Sequence, residues 1–587
     1  MSNKKINIIA AILLIILFAV SVQSIKHKSL TFDELAHLPA GYSYLAQKDY
    51  RLNPEHPPLI KDLSAVPLLA MDLNFPKEDP SWHEGSQGRW WVQFNFGSEF
   101  LYRSGNNADK IIFWGRIPMI LLLVLLGIFL FKWTRELAGN KPAILLLTLF
   151  SFSPTLIAHG RLVTTDVGAA LGAVLSIYYY LKFLKNPTKK NILLAGIALG
   201  ISLLFKFSLI LIFPLIVITT LIFTILNRKD SFIKTLIKYK FLALAVIAIA
   251  VLGVIWPVYK YHTQNYPTDL QYSEAKAFLV TTTVPKPLIN LNLKMIKNPI
   301  TKPLAQYSQG LLMATNRTAT GNTTYFLGKV SAEGWWYYFP VVFFLKTPLP
   351  LNILILISIV GNLLLLKSLK SPLSRLKNWI KNHFTEFSII VFLIIYWTTS
   401  MIGSLNIGIR HLLPTFPFIY ILVSLGIKNW IKNIDKKALA KLIVLTLIIW
   451  YAISSLMAFP NYLTYFNQAV GGSGTGHKYV VDSNLDWGQD LNGLELWMKE
   501  NNINKIYIDY FGGADLDYYL KDKYTRWESR NKDFPRGNYL AVSATQLQGG
   551  RGKPAKGYDQ PTDYYMWLNN QELKKVIGNS IFIFYVK

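Results

Sequence analysis

Residues 4–34 read KKINIIAAILLIILFAVSVQSIKHKSLTFDE. Two lysines precede an apolar run over 6–25, and an acid pair, Asp33-Glu34, follows it. A helix needs roughly 20 apolar residues to cross a bilayer core, so this run is long enough to span. No clear small-residue cleavage site precedes SIKHK, and the run reads as a retained first span, not a signal peptide. Ionisable groups at the edge of a bilayer are costly to desolvate and usually serve a purpose. Asp33 and Glu34 are therefore the first candidates for an active centre.

The rest of the chain repeats the pattern. With 587 residues, 52% hydrophobic and 16% charged, it is too apolar for a soluble enzyme. Runs able to span fall at 6–25, 111–131, 142–159, 165–184, 191–205, 207–227, 241–258, 338–366, 387–405, 412–427 and 441–459, about eleven in all. If Lys4 and Lys5 lie in the cytoplasm, alternation puts five strongly basic connections inside as well: those carrying Lys132 and Arg135, Lys182–Lys190, Arg228–Lys240, Lys367–Lys381 and Lys428–Lys441. The net charge of +28 is thus mainly an orientation signal, and nucleic acid is not an expected partner. With no cysteine, thiolate nucleophiles, thiolate metal sites and disulfides are excluded.

The same alternation places loop 26–110, the His159-Arg161 turn, loop 259–337, the Arg410-His411 turn and everything after Pro460 on the outer face. Leu59–Leu73 reads as an amphipathic helix lying in the interface. After about residue 461 the composition changes: strand-like KYVVD, a helix-like Leu491–Lys499, then strand-like KIYIDYF, NYLAVSA and IFIFYV. The expected organisation is a membrane domain over 1–460, including external loop 26–110, and an extracytoplasmic α/β domain over 461–587. GGSGTG at 471–476 reads as a hinge; it lacks the Lys-Ser/Thr and following helix of a phosphate loop.

Chemistry-bearing residues gather on the outer side. Asp33 suits a general base, which must reach the acceptor's hydroxyl or amine, with Glu34 orienting a neighbour. Asp166, in HGRLVTTD, is a second acid at the outer start of a span, where it would also offset a helix dipole and where two threonines are placed to cap. Lys206, Lys346, Arg410 and His411 sit at outer span ends; any one lysine could be snorkelling, but several together suggest a pocket for phosphate. His37, Glu55 and His56 are candidate substrate-binding groups and fall short of a full metal-ligand set. In DSNLDWGQD, residues 482–490, acids and an amide beside an aromatic (Asp482, Asn484, Asp486, Trp487) suit a sugar ring, or equally a helix cap with a packed Trp. Asp515-Leu516-Asp517 mimics a metal-binding DxD, and its short pattern and outer location favour a bland role. The sequons at Asn316 and Asn322 are too short a pattern to imply glycosylation.

Taken together, DExxH, NPEHPPL, the Thr-Thr-Asp segment, Lys206, GIRHLLP and DSNLDWGQD resemble the GT-C integral-membrane glycosyltransferases, in the branch of the protein O-mannosyltransferases and aminoarabinose transferases. The resemblance implies a GT-C fold and an inverting transfer of a hexose or pentose from a polyprenyl-phosphate carrier, in a plasma-membrane protein with a cytoplasmic N-terminus. It implies Asp33 as base, Asp166 as second acid, and Lys206, Arg410 and His411 as groups holding the carrier phosphate. No cofactor is required on this reading; a divalent metal is an alternative that it does not favour. The acceptor stays open among glycan, lipid and protein, although the absence of threefold repeats in loop 259–337 counts against protein. A transporter or flippase of lipid-linked sugars is the competing reading, but it predicts midplane charges and inverted repeats that the sequence does not display. A third is a binding or assembly scaffold.

Overall fold

The computed structural model describes all residues except Met1, 228–230, 367–371 and Lys532, with side chains of 362–375 also left aside. Among the described residues, eight helices are long and apolar enough to cross a membrane, and two bent helix pairs raise the number to ten. All eleven runs expected from the sequence are helical, and the difference lies in their shape. Asn140–Ser151 with Pro154–Gly160 bends by 61°, Tyr338–Lys346 with Leu349–Gly361 bends by 116°, and Lys189–Phe205 has only 17 residues. Both bends fall at a Ser-Pro or Pro-Leu-Pro break, where proline cannot donate a helix bond.

The helix Thr165–Lys185 lies at the centre and is buried along most of its length. Its small residues make this possible: Gly168 meets Ile60 and Phe205, and Gly172 meets Ser202. Between membrane helices, where lipid is as apolar as leucine, such close approach is the main source of attraction. At the periphery, Lys437–Leu456 exposes Leu442, Leu445, Ile449 and Ile453, a face suited to lipid.

On one side of this bundle the segments expected from the sequence to lie outside pack together. The helix Glu34–Ala46 crosses Leu59–Ala65 so closely that a Cβ on Gly41 would collide with the Lys61 carbonyl. The expected amphipathic helix over Leu59–Leu73 is shorter: α-helix ends at Ala65, a 3-10 turn follows to Ala70, and Lys61 is buried, not solvated. Pro67 brings about that change of winding.

The C-terminal part forms a five-stranded sheet from β3 (Ile506–Asp509), β4 (Tyr524–Arg526), β5 (Asn538–Ser543), β7 (Glu572–Ile577) and β8 (Ile581–Val586), in the order β4-β3-β5-β8-β7. β4, β3 and β5 are parallel; β8 is antiparallel to both its neighbours. A smaller sheet joins β1 (Thr324–Phe326), β2 (Lys329–Ser331) and β6 (Lys553–Pro554), tying loop 259–337 to the C-terminal part. The fold class read from the sequence, a polytopic helical membrane protein with a small C-terminal sheet region, is the one observed. KYVVD, expected as a strand, is not one: only Val480 bridges to Phe326, and Asp482–Asn484 turns instead to dock on the membrane part.

Candidate active site

Asp33 occupies the N-cap of the helix Glu34–Ala46 without capping it. Its carboxylate turns to Arg410, whose Nη1 donates to Asp33 Oδ2 over 2.9 Å. The same nitrogen lies 3.7 Å from Asp166 Oδ2, and Asp166 Oδ1 accepts from Lys206 Nζ at 2.6 Å. Four residues from four separate segments thus form a chain of alternating charge: Asp33, Arg410, Asp166, Lys206. Asp166 Oδ2 has no hydrogen-bond partner among the described residues, and Thr164, expected to cap this helix, does not. Asp166 is fully buried, whereas the Asp33 side chain keeps 21% exposure. Asp33 is the member that a substrate hydroxyl can reach.

Arg410 is held in place from behind. Gly408 lets the NIGIR turn press against Ser483, whose hydroxyl donates to the Ile407 carbonyl and accepts from Arg410 Nε. The Asn484 side chain accepts from Ile409 N at 2.9 Å and donates to the Tyr338 hydroxyl. Trp487 lies under the guanidinium, 4.4 Å from Arg410 Cζ to the ring centroid, and is 2% exposed. This is a cation–π seat that fixes the fork's plane.

Three of the four expected sugar contacts in this segment therefore have other duties. Asn484, Asp486 and Trp487 are buried, and Asp486 Oδ2 accepts from Thr545 N. Acids, amides and an aromatic in the turn before a helix suit a seam between two parts of a protein as well as a sugar. Asp482 alone remains half-buried, with φ +56°. Burial pushes Asp482 up to about 6, against the lowering pull of Arg410 and the Ser483 amide. Asp486, with one carboxylate oxygen unpartnered, is pushed up to about 8 by burial.

Glu34 is not beside Asp33 in function. It is fully buried and accepts two bonds from Arg116, two from Thr31 and one from Val163 N. Arg116 also donates to the Lys28 and Ser29 carbonyls. These donors hold Glu34 below its usual carboxylate range in spite of burial. The pair fastens the loop that carries Asp33 onto the helix Ala108–Ala138. It is a positioning device, and every carboxylate oxygen is occupied.

The remaining candidates divide. His37 Nδ1 bonds the Val163 carbonyl at 2.7 Å and its ring meets that of His56 edge-on; burial lowers both histidines. Glu55 accepts from Trp90 Nε1 and lies 3.5 Å from Arg317. His411 flanks Arg410 and leaves Nε2 buried without a partner among the described residues. Lys346, expected at the phosphate, instead donates to the Leu463 and Asn484 carbonyls and covers Phe466. It clamps the C-terminal segment to the bent span. Asp515 of the DxD caps a short helix by accepting from Asp517 N and Tyr518 N.

Sequence reasoning missed three cations. Arg116 was detectable as a lone arginine inside an apolar run. Lys61 Nζ, fully buried, donates to the Tyr44 hydroxyl and to oxygens of Asn53 and His56, and so sets the NPEHPPL turn. Arg317 arrives from the helix Lys302–Thr320, and its charge is felt at His56 and Asp482. Among the described residues, no group of three or more His, Asp or Glu side chains is arranged to hold a metal ion.

Residues 108–256 match the family model described as dolichyl-phosphate-mannose-protein mannosyltransferase. The resemblance to that family stands. The matched stretch carries Arg116, Asp166 and Lys206. Among solved structures, ArnT from Cupriavidus metallidurans bound to undecaprenyl phosphate matches with a TM-score of 0.45 and 12% identity, over 100% of this chain and 98% of that one. The Archaeoglobus fulgidus oligosaccharyltransferase complex with Zn and sulfate matches with a TM-score of 0.43 and 13% identity, over 89% of this chain and 58% of that one. The archaeal AglB in complex with an inhibitory peptide and a dolichol-phosphate matches with a TM-score of 0.41 and 14% identity, over 90% and 61%. This chain therefore spans about six tenths of those archaeal chains. No curated protein sequence matches.

Proposed function

We propose that this chain is an inverting glycosyltransferase that moves a hexose or pentose from a polyprenyl-phosphate carrier to an acceptor at the outer face of the plasma membrane. The observation that carries the reading is the chain Asp33–Arg410–Asp166–Lys206. It places one reachable carboxylate beside two cations that a buried acid holds in position. On this reading the N-terminus is cytoplasmic, residues 1–460 form the transferase part, and residues 461–587 form an extracytoplasmic domain whose first segment seats Arg410.

The step is a single displacement. The acceptor oxygen attacks the anomeric carbon, the bond from that carbon to the carrier phosphate breaks, and the electron pair leaves on the phosphate oxygen. Asp33 takes the acceptor's proton. Arg410 and Lys206, with Arg317 and His411 beside them, stabilise the charge that grows on the phosphate. Arg410 can do this while still paired, because both of its ion pairs use Nη1. Asp166 keeps the two cations from repelling each other when no phosphate is bound. Such positioning acts on the transition state, where the phosphate carries more charge than in the bound donor. On this reading the step requires no cofactor, and a divalent metal is the alternative that it does not favour.

The test is sugar transfer from a panel of polyprenyl-phosphate sugars by the purified protein in nanodiscs. Wild type is expected to consume at least one donor, and Asp33→Asn to lose roughly 10²-fold or more of that rate, the usual worth of a positioned base. Failure of wild type to consume any donor, with movement of sugar-lipid across sealed vesicles, would overturn the reading in favour of a transporter.

A further inference from the structure

The C-terminal sheet has a concavity of its own, and no residue lining it belongs to the Arg410 cluster. A cavity of about 560 Å³ opens past the end of β3, within the ~300–1,000 Å³ range of small-molecule sites. Topology accounts for its place. β3 is flanked by β4 on one side and β5 on the other, all three parallel, so the chain reverses its direction of winding at β3. Such a reversal leaves a crevice beyond the carboxyl ends of the strands, where open parallel sheets bind their ligands.

The lining has a definite chemistry. Asp509, Asp515, Arg103, Arg526 and Arg530 face the cavity together with Trp527. With Glu528, which also lines it, three acids stand against three guanidinium groups, so the cleft offers neither a net anion site nor a net cation site. It offers closely spaced acceptors and donors beside an indole. Asp509 accepts from the Tyr565 hydroxyl at 2.6 Å, and Asp515, whose Oδ1 caps the short helix, pairs loosely through Oδ2 with Arg103 at 3.3 Å. Trp527, 8% exposed, has a buried indole N–H with no acceptor among the described residues. Hydroxyls that both donate and accept, on a ring with apolar C–H faces, complement such a surface.

The floor of the cleft reaches the candidate active site from two directions. Gly513, which lines the cleft, packs against Leu30, Phe32 and Leu35, and Phe511 stacks on Phe32 with centroids 5.7 Å apart, so the loop that carries Asp33 lies directly behind this part of the lining. Tyr510 donates to the Gly488 carbonyl at 2.6 Å, next to the Trp487 that seats Arg410. We propose that this cleft binds the acceptor and that the acceptor is a neutral saccharide, an inference that rests on the transferase reading above.

The full-length protein in nanodiscs, probed against an array of neutral hexose and N-acetylhexosamine oligosaccharides, tests it. Wild type is expected to bind at least one member, and Asp509→Asn and Arg526→Ala to weaken that binding about tenfold or more. Arg526 is exposed, so its replacement leaves the fold intact. In transfer assays with the bound oligosaccharide as acceptor, the same variants are expected to raise the acceptor KM about tenfold while kcat stays within about threefold, whereas Asp33→Asn lowers kcat. Binding to no member of the array, or binding that neither variant weakens, overturns the inference whether or not a donor is consumed. A wild type that binds saccharide through these residues but consumes no donor overturns the transferase reading, and with it the acceptor role, while the saccharide site itself stands.

Discussion

Two neighbouring acids meet opposite fates. Glu34 is enclosed by Arg116, Thr31 and Val163 with all its acceptor capacity used, while Asp33, one residue earlier, shares a single guanidinium with Asp166 and keeps a face to solvent. Both are ion pairs to an arginine of a candidate membrane-spanning helix. The difference is saturation. A fully satisfied buried pair has nothing left to offer a substrate and is held only because removing either partner strands a charge. A pair with a free carboxylate oxygen and a shared cation keeps hydrogen-bonding capacity that a ligand could use. Asp166 Oδ2 and His411 Nε2, both buried without a bond among the described residues, keep such capacity as well.

The sharpest way to break the comparison is to exchange what the two acids lose. Asp33→Asn is expected to lower donor turnover roughly 10²–10⁴-fold with thermal unfolding in detergent shifted little. Glu34→Gln is expected to act the other way round: a stability loss of about 3–5 kcal/mol, the cost of stranding Arg116, seen as a lower unfolding temperature and poor yield. If Glu34→Gln left the unfolding temperature unchanged while abolishing turnover, Glu34 and not Asp33 would be the residue at the chemistry.

How far these roles could be read beforehand depends on whether a residue's signal is local. Asp33, Asp166, Lys206 and Arg410 were legible because each interrupts or borders an apolar run, where any charge stands out. Their order along Asp33–Arg410–Asp166–Lys206 was not, since it joins residues 377 positions apart. Arg317 carried no local signal at all; it matters only because loop 259–337 folds back over Glu55. Lys346 misled for the same reason in reverse. A lysine in an apolar span is conspicuous, but only the fold reveals that two backbone carbonyls already hold it. Of the C-terminal sheet, the hydrophobic strands β3, β5 and β8 were legible, while β7, with its charged ELKKVI, was not.

A smaller perturbation tests whether the seat of Arg410 is as important as its charge. Gly408→Ala adds one methyl that would collide with the Ser483 hydroxyl. Overpacking of this kind typically costs about 1–3 kcal/mol, and here the strain falls on the turn that aims the guanidinium. The expected outcome is a roughly tenfold loss of kcat/KM for donor with Arg410 itself untouched. Full activity would show that Arg410 tolerates a looser seat and that Trp487 alone suffices to orient it.

The smallest effect separates Asp482 from Asp486, a second pair of acids with unequal access. Asp486 lies out of solvent's reach at about 8 and Asp482 at the site's edge at about 6, both raised by burial from the ordinary value of 3.8. A raised carboxyl binds more protons folded than unfolded, so the stability it provides is complete below about pH 4 and is lost as pH rises through the folded value. For Asp486 that window runs from about 4 to 8. Asp486→Asn keeps an acceptor for Thr545 N and removes the titration. It should therefore flatten the fall in unfolding temperature between pH 4 and 8, matching wild type at the acid end and exceeding it at the alkaline end. Asp482→Asn should change the stability slope only up to about pH 6, and it should shift the acid limb of the rate profile because Asp482 sits beside Arg410. Parallel slopes for wild type and Asp486→Asn would mean that this carboxylate finds a second donor in the native state, and the division between a sealed acid and a reachable one would then rest on Asp33 and Glu34 alone.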